Sequence, residues 1–142
     1  MTGSFEREDA LLKYFNELLI AQRDRFQLYL ELLNKQKSVI EGGGVEYILA
    51  YVEAGEKIAA DILAIQRVIE PFEKSGQFSN VQDVVNMRKT LDRLRQDVRC
   101  QMEENKNLLS KRMALLAVEI KAIHNNPMRS RTSTPSFIDV KM

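Results

Sequence analysis

The sequence predicts an all-α fold: an elongated antiparallel bundle of three long helices followed by a disordered C-terminal tail. Apolar residues recur at steps of three and four through most of the chain, which is the period of one helix face. The chain contains only six glycines and three prolines in 142 residues, so long stretches carry no helix breaker. Most of the breakers lie where one long stretch ends and the next begins.

The first predicted helix runs for about 37 residues, from an N-cap at Ser4 to the glycine run 42–44. Its apolar stripe is broader than the seam of a two-stranded coiled coil, which favours a bundle. The three glycines supply a place for the chain to reverse. The predicted stripe consists of Leu12, Phe15, Leu19, Gln22, Phe26, Tyr29, Leu33, Gln36 and Ile40.

The second predicted helix begins at Val45 and ends or kinks near Glu70, because Pro71 disfavours helical geometry in the residues before it. Gly55 lies on its stripe and has two interpretations. It is either a weak spot that costs about 1 kcal/mol against alanine or a place where the backbone closely approaches a neighbouring helix. The predicted stripe consists of Ile48, Tyr51, Gly55, Ile58, Ile62, Ile65, Ile69 and Phe72.

The third predicted helix begins with a capping box between Ser79 and Gln82. It continues to about His124, for about 44 residues, so it exceeds both predecessors and part of it has no predicted partner in the bundle. Asn105, polar on an apolar stripe, is expected to fix register at a cost in stability. The stripe consists of Val84, Met87, Leu91, Leu94, Val98, Met102, Asn105, Leu109, Met113, Leu116, Ile120 and Ile123.

Asn125 to Pro127 end the third helix, so we predict a helical bundle domain over 1–126 and a flexible tail over 127–142. The tail contains one apolar island at Phe137, Ile138 and Val140, which is either part of a free tail or a docking segment.

Composition argues against several classes of partner. Lysine and arginine number 21 and acidic residues 20, giving a net charge of +1 with both signs interleaved, so neither nucleic acid nor a membrane is an expected partner. Cys100 is the only cysteine. A lone thiol, together with the lack of a signal-peptide pattern or a long apolar span, predicts a cytoplasmic protein.

The residue types also argue against catalysis and against binding of a metal or cofactor. The glycine run 42–44 lacks the lysine and hydroxyl residue of a phosphate loop. His124 is the only histidine, it lies at a helix end, and with Cys100 it cannot assemble a zinc site. The sequence contains no Glu-x-x-His pair for a di-iron site. We therefore expect no catalytic, cofactor-binding or metal site, and no enzyme activity.

Surface recognition is the remaining class of function. The last five turns of the third helix carry an apolar arc around Met113 that is too wide for one partner helix, so part of it is expected to face a second partner. The methionines of the stripe are either core filler or part of an adaptable groove.

Three stretches resemble the FlgN-like flagellar export chaperones, over roughly residues 8 to 124. They are Gln36 with Ile40 before the glycine reversal, the helix opening at Val45, Glu46, Ile48 and Leu49, and the run 103–109 in the third helix. The resemblance implies a cytoplasmic type III export chaperone. It would bind the C-terminal helical segment of hook-filament junction proteins, prevent their premature assembly, and also contact components of the export apparatus.

Carried over by position, the resemblance places client binding between Leu108 and Ile123. The alternative from another class is a structural coiled-coil protein that self-associates through the same stripe or acts as a scaffold. The client-binding residues implied are Leu108, Leu109, Met113, Leu116, Ile120 and Ile123.

Overall fold

The computed structural model describes residues 2–125, except for the side chains of Thr2 and Ser4. Helix α1 spans Thr2–Glu41, a short 3-10 helix spans Val45–Tyr47, α2 spans Ile48–Ser75 and α3 spans Gln82–His124. Within this range there are three long helices and no strand, which confirms the all-α class. The predicted tail, 127–142, and its apolar island lie outside the described residues.

The chain divides into two units, and the boundary lies between Asn105 and Lys106. In the first unit, early residues of α1 meet late residues of α2: the rings of Phe15 and Phe72 are 4.8 Å apart, and Arg25 lies 3.7 Å from Asp61. Residues of α3 meet α2 in the same reversed order: Arg88 lies 4.0 Å from Glu73, and Arg95 donates to Gln66 at 3.4 Å. Consecutive helices of this unit therefore run antiparallel, as the sequence predicts.

The predicted stripes form the core of the first unit. Every predicted stripe residue of α1 and α2 is buried or half-buried. On α3, Met102 is an exception at 46% exposed. Its neighbour Gln101 is half-buried and donates a hydrogen bond to Asn105. Each large apolar side chain that is fully covered stabilises the fold by about 1.5–3 kcal/mol. The central cluster consists of Phe15, Leu19, Phe26, Leu33, Ile69, Phe78, Val84, Leu91 and Val98.

The glycine run reverses the chain, as predicted. The amides of Gly42, Gly43 and Gly44 donate to the last carbonyls of α1 at 2.9–3.1 Å, and Gly43 has a φ of 81°, where glycine carries no steric penalty. The predicted N-cap at Ser4 is wrong, because α1 begins two residues earlier at Thr2. No proline blocks that extension, and a helical glycine at position 3 costs only about 1 kcal/mol.

The end of α2 predicted near Glu70, before the proline, is wrong. The helix continues through Pro71 to Ser75. The ring of Phe72 is stacked on Phe15 with an interplanar angle of 9°. Gly76, at a φ of 65°, donates its amide to the carbonyls of Phe72 and Glu73 at 3.2 Å. Aromatic packing and a left-handed glycine cap thus stabilise the turn that contains the proline.

The predicted capping box at the start of α3 is also wrong. The Ser79 hydroxyl donates to the Gly76 carbonyl at 2.9 Å, and the Gln82 side-chain amide donates to Asn86 Oδ1 at 2.9 Å. Phe78, in the turn before α3, is 7% exposed and belongs to the core cluster. Its packing holds this turn against the bundle. The predicted end of α3 at His124 is confirmed.

Gly55 is buried and faces α1. A Cβ at this position would lie 3.4 Å from Tyr29 Cε1 and 3.7 Å from Leu32 Cδ2, both ordinary contact distances. The atoms of α1 nearest to Gly55 belong to side chains, and they leave room for a methyl group. This favours the interpretation of Gly55 as a weak spot in α2.

Candidate partner-binding surface

The first part of α3 buries every seventh residue. Val84, Leu91, Val98 and Asn105 are 0%, 2%, 6% and 3% exposed. Seven residues make almost two full turns, so these four side chains lie on one side of the helix. The helix then continues without interruption to His124, yet none of the residues 106–125 is buried.

Five of the six predicted client-binding residues continue that same line along α3. Of these, Met113 is 52% exposed and the other four are half-buried. Leu108, the sixth, is half-buried but lies on a different side of the helix. We call the five the inner row: Leu109, Met113, Leu116, Ile120 and Ile123.

A second apolar row lies about 140° around the helix axis from the inner row. It contains the most exposed large apolar side chains of α3, Leu115 at 58% and Val118 at 66%. Val118 is not among the predicted client-binding residues, although its position three residues after Leu115 could have revealed it. We call this row the outer row: Leu108, Leu115, Val118 and Ala122.

Lys111 lies within the outer row, three residues after Leu108 and four before Leu115, and it is exposed. A lysine at such a place can lay its apolar stem along the row and hold its ammonium group at the rim. The outer row is therefore an apolar surface with a positive charge at its edge.

The net charge of +1 conceals an uneven distribution along the chain. Residues 1–105 contain 14 basic and 18 acidic residues, a net charge of −4. The last 37 residues contain seven basic residues against Glu119 and Asp139, a net charge of +5. Within the described segment 106–125, four basic residues face one acidic residue, a net charge of +3 with His124 neutral. The expectation that the signs are interleaved throughout fails for this segment.

A polar cluster lies inside the first unit and was not predicted. Gln22, 1% exposed, donates to Gln66 Oε1 at 2.9 Å, and Gln66 donates to Glu73 Oε1 at 3.1 Å. Arg95 donates to both glutamine oxygens at 3.4–3.5 Å and lies over the ring of Phe26. Gln22, Gln66 and Arg95 belong to α1, α2 and α3, so the cluster links all three helices. The cluster is thus suited to fixing the register of the three helices.

Asn105 forms a second polar contact across the unit. Its Nδ2 donates to the Leu33 carbonyl at 2.8 Å and to Gln36 Oε1 at 3.0 Å. Nearby, Lys37 Nζ lies 2.7 Å from Glu104 Oε1, and the hydrogen bond and charge of Glu104 raise the pKa of Lys37. These bonds tie the end of α1 to the middle of α3. The register role of Asn105 stays a prediction.

Comparison with known proteins relates the chain to an uncharacterized protein. No family model and no solved structure match the sequence. An uncharacterized protein of Treponema pallidum (strain Nichols) is 35% identical over 105 residues, which cover 72% of this chain and 68% of the relative. The chain belongs to the same family as this Treponema pallidum protein. Because identity at this level extends over most of both chains, we expect the Treponema pallidum protein to share the three-helix fold.

Among residues 2–125, no three His, Cys, Asp or Glu side chains come close enough together to hold a metal ion. Cys100 is exposed, and His124 lies in the last turn of α3. No helix in the described range is long and apolar enough to cross a membrane. The apolar surface of α3 after Asn105, where no described residue is buried, is therefore the candidate site.

Proposed function

We propose that the protein is a chaperone that holds a helical segment of another protein along residues 108–123 of α3. The observation that supports this is the contrast between composition and burial. Eleven of the twenty residues from Lys106 to Asn125 are apolar, and none of the twenty is buried. Apolar rows at helical spacing that the chain leaves half-buried or exposed are what an amphipathic partner helix covers.

The mechanism is shielding. Each large aliphatic side chain that a partner helix fully covers contributes about 1.5–3 kcal/mol of favourable free energy. The partner's own apolar face is covered at the same time, so it is withheld from assembly until it is released. Two rows on different sides of α3 allow two surfaces to be covered, in keeping with the wide apolar arc. This function requires binding and no catalytic step.

For the client, we propose the hook-filament junction proteins, held by their C-terminal helical segments in the cytoplasm, with export-apparatus components as further contacts. The resemblance of the helix stretches to FlgN-like chaperones supports this choice. The six residues that the resemblance implies lie in the segment 106–125 of α3, in which no residue is buried.

A pair of matched double variants tests the binding surface. Leu116→Asp with Ile120→Asp places two charges in the inner row and should abolish client capture while most helicity is retained in far-UV circular dichroism. Ser110→Asp with Ala114→Asp adds the same charges at exposed positions outside both rows, and capture should persist. If the first variant captures the client as well as the wild type, the inner row is not the binding surface.

Co-expression with the hook-filament junction proteins of the same genome tests the client. We expect at least one of them to co-purify with the chain. Failure with all of them would remove the flagellar assignment and leave the α3 surface to be tested with other helices.

The alternative is a coiled-coil scaffold, in which the same rows pair with a second copy of the chain. Sedimentation over a concentration series separates the two. A chaperone should remain a small species that takes up client stoichiometrically, whereas indefinite or obligate self-assembly would favour the scaffold.

A further inference from the structure

The outer row of α3 combines apolar exposure with positive charge. Leu115 and Val118 are 58% and 66% exposed, and Lys111 lies in line with them. The segment 106–125 has a net charge of +3, and the last 37 residues have a net charge of +5. Lys111 therefore places a positive charge in the apolar strip, and the net charge of the surrounding segment has the same sign.

We propose that the outer row binds an acidic amphipathic helix of a protein partner, with partner carboxylates beside Lys111. This inference rests on the proposed function, in which α3 holds a helical segment. It adds the chemistry of that segment: apolar residues at steps of three and four, flanked by aspartate or glutamate. Charge complementarity selects this partner over neutral or basic helices with the same apolar pattern.

A second copy of the chain is a poorer occupant of the outer row. Pairing two outer rows would bring two segments of net charge +3 together, and like charges placed side by side oppose association. An acidic helix cancels the same charges.

An anionic membrane is also a poorer occupant. A helix that lies on a membrane has one apolar face, which enters the interface, and one polar face, which remains in water. On α3 the inner and outer rows lie about 140° apart, so a flat surface that covered one row would leave the other in water. Partner helices can cover either row separately.

The test uses the full-length chain and two synthetic peptides of about 20 residues. Both peptides carry the same leucine and isoleucine pattern, and the flanking positions are glutamate in one and lysine in the other. Fluorescence anisotropy at about 50 mM and about 300 mM NaCl gives the four affinities. We expect the acidic peptide to bind at least about tenfold more tightly at low salt, and the difference to shrink at high salt.

Two single variants locate the charge effect. Lys111→Glu, in the outer row, should weaken binding of the acidic peptide by about fivefold. Lys106→Glu makes the same charge change at an exposed position on nearly the opposite side of α3, and should weaken it by less than about twofold. Equal effects of the two variants would overturn the placement of the partner's carboxylates beside Lys111.

The outcomes separate this inference from the proposed function. If both peptides bind equally and Leu115→Asp with Val118→Asp abolishes both, α3 holds helices without charge selection, so the inference fails and the function stands. If neither peptide binds and no junction protein is captured, both fail. Binding to phosphatidylserine vesicles without binding to either peptide would replace the helix with a membrane, and self-association that excludes both peptides would replace it with a second copy.

Discussion

The two parts of α3 have similar apolar spacing but differ in burial. Up to Asn105, every seventh residue is almost inaccessible, because α1 and α2 of the same unit cover it. From Lys106 to Asn125 the apolar spacing continues and no residue is buried. The comparison teaches that periodicity determines which side of a helix is apolar, whereas coverage depends on what the rest of the chain, or another protein, brings to that side.

The strongest test of this comparison is a pair of leucine truncations in the same helix. Leu91 is 2% exposed and belongs to the central cluster, so Leu91→Ala should lower the free energy of unfolding by about 2–5 kcal/mol through lost burial and a residual cavity. Leu115 is 58% exposed, and Leu115→Ala should change it by less than about 0.5 kcal/mol. Urea denaturation measures both.

The pair also separates folding from binding. Leu115→Ala should weaken capture of a helical partner while stability is unchanged. Equal destabilisation by the two variants would mean that residues after Asn105 are covered within the chain, and the contrast between the two parts of α3 would be lost.

The next largest effect is expected at Asn105, the last buried residue of α3. Asn105→Ala removes the bonds to the Leu33 carbonyl and Gln36 Oε1 and leaves buried groups without a partner, a cost of about 1–3 kcal/mol. The better helix propensity of alanine offsets part of this. We expect a net loss of about 1–2 kcal/mol in thermal or urea denaturation.

Asn107 provides the matched control, because it is the same residue type two positions later and is exposed. Asn107→Ala should be neutral or slightly stabilising. A similar loss at both positions would show that the hydrogen bonds of Asn105 do not anchor the packed part of α3.

The sequence predicted much of the fold because one physical signal, helical periodicity, governs most of the buried residues. It failed where tertiary packing competes with local preference. Pro71 does not end α2, because Phe72 stacks on Phe15 and Gly76 caps the turn. The predicted capping box fails because the Ser79 hydroxyl donates to the Gly76 carbonyl in the turn before α3. Phe78 of the same turn packs in the core.

The sequence predicted which part of α3 forms the candidate surface, but not how far the side chains of that surface are exposed. The segment 108–123 could be identified from its apolar residues, and helix geometry would also have divided them into two rows. How far Leu115 and Val118 are left uncovered required the structure. The polar cluster around Gln22 was beyond prediction, since Gln66 and Arg95 meet it from two other helices. The excess of basic residues after Asn105 could have been counted from the sequence, and the whole-chain charge concealed it.

A smaller effect is expected at Gly55. A substitution there tests whether the first unit can be stabilised by adding a methyl group. The Cβ of Gly55→Ala would make ordinary contacts with Tyr29 and Leu32 of α1. Removal of a helical glycine should raise the free energy of unfolding by about 0.5–1 kcal/mol, measured by urea denaturation. Gly55→Leu has no such room beside the Tyr29 ring and should be destabilising. A loss of stability in the alanine variant would instead support a close-packed contact at this site.

The smallest effect concerns pH, at the same contact. Burial disfavours the phenolate and the Glu56 carboxylate repels it, so the pKa of Tyr29 is raised above its ordinary value of 10.0. Since the folded state holds this proton more tightly than the unfolded state, the stability that it contributes is fully present below the unfolded pKa. It is lost as the pH rises through the folded pKa. The free energy of unfolding should therefore decline above about pH 10.

Tyr29→Phe isolates this contribution, because phenylalanine keeps the ring and has no proton to lose. The difference in stability between wild type and Tyr29→Phe should be constant from about pH 7 to about pH 9 and should then shift against the wild type. Tyr47, which is 60% exposed, provides the control position, since Tyr47→Phe makes the same change and leaves the Tyr29 phenol in place. An alkaline decline that is unchanged in Tyr29→Phe would show that other groups cause it and that the α1–α2 contact at Gly55 does not desolvate the phenol.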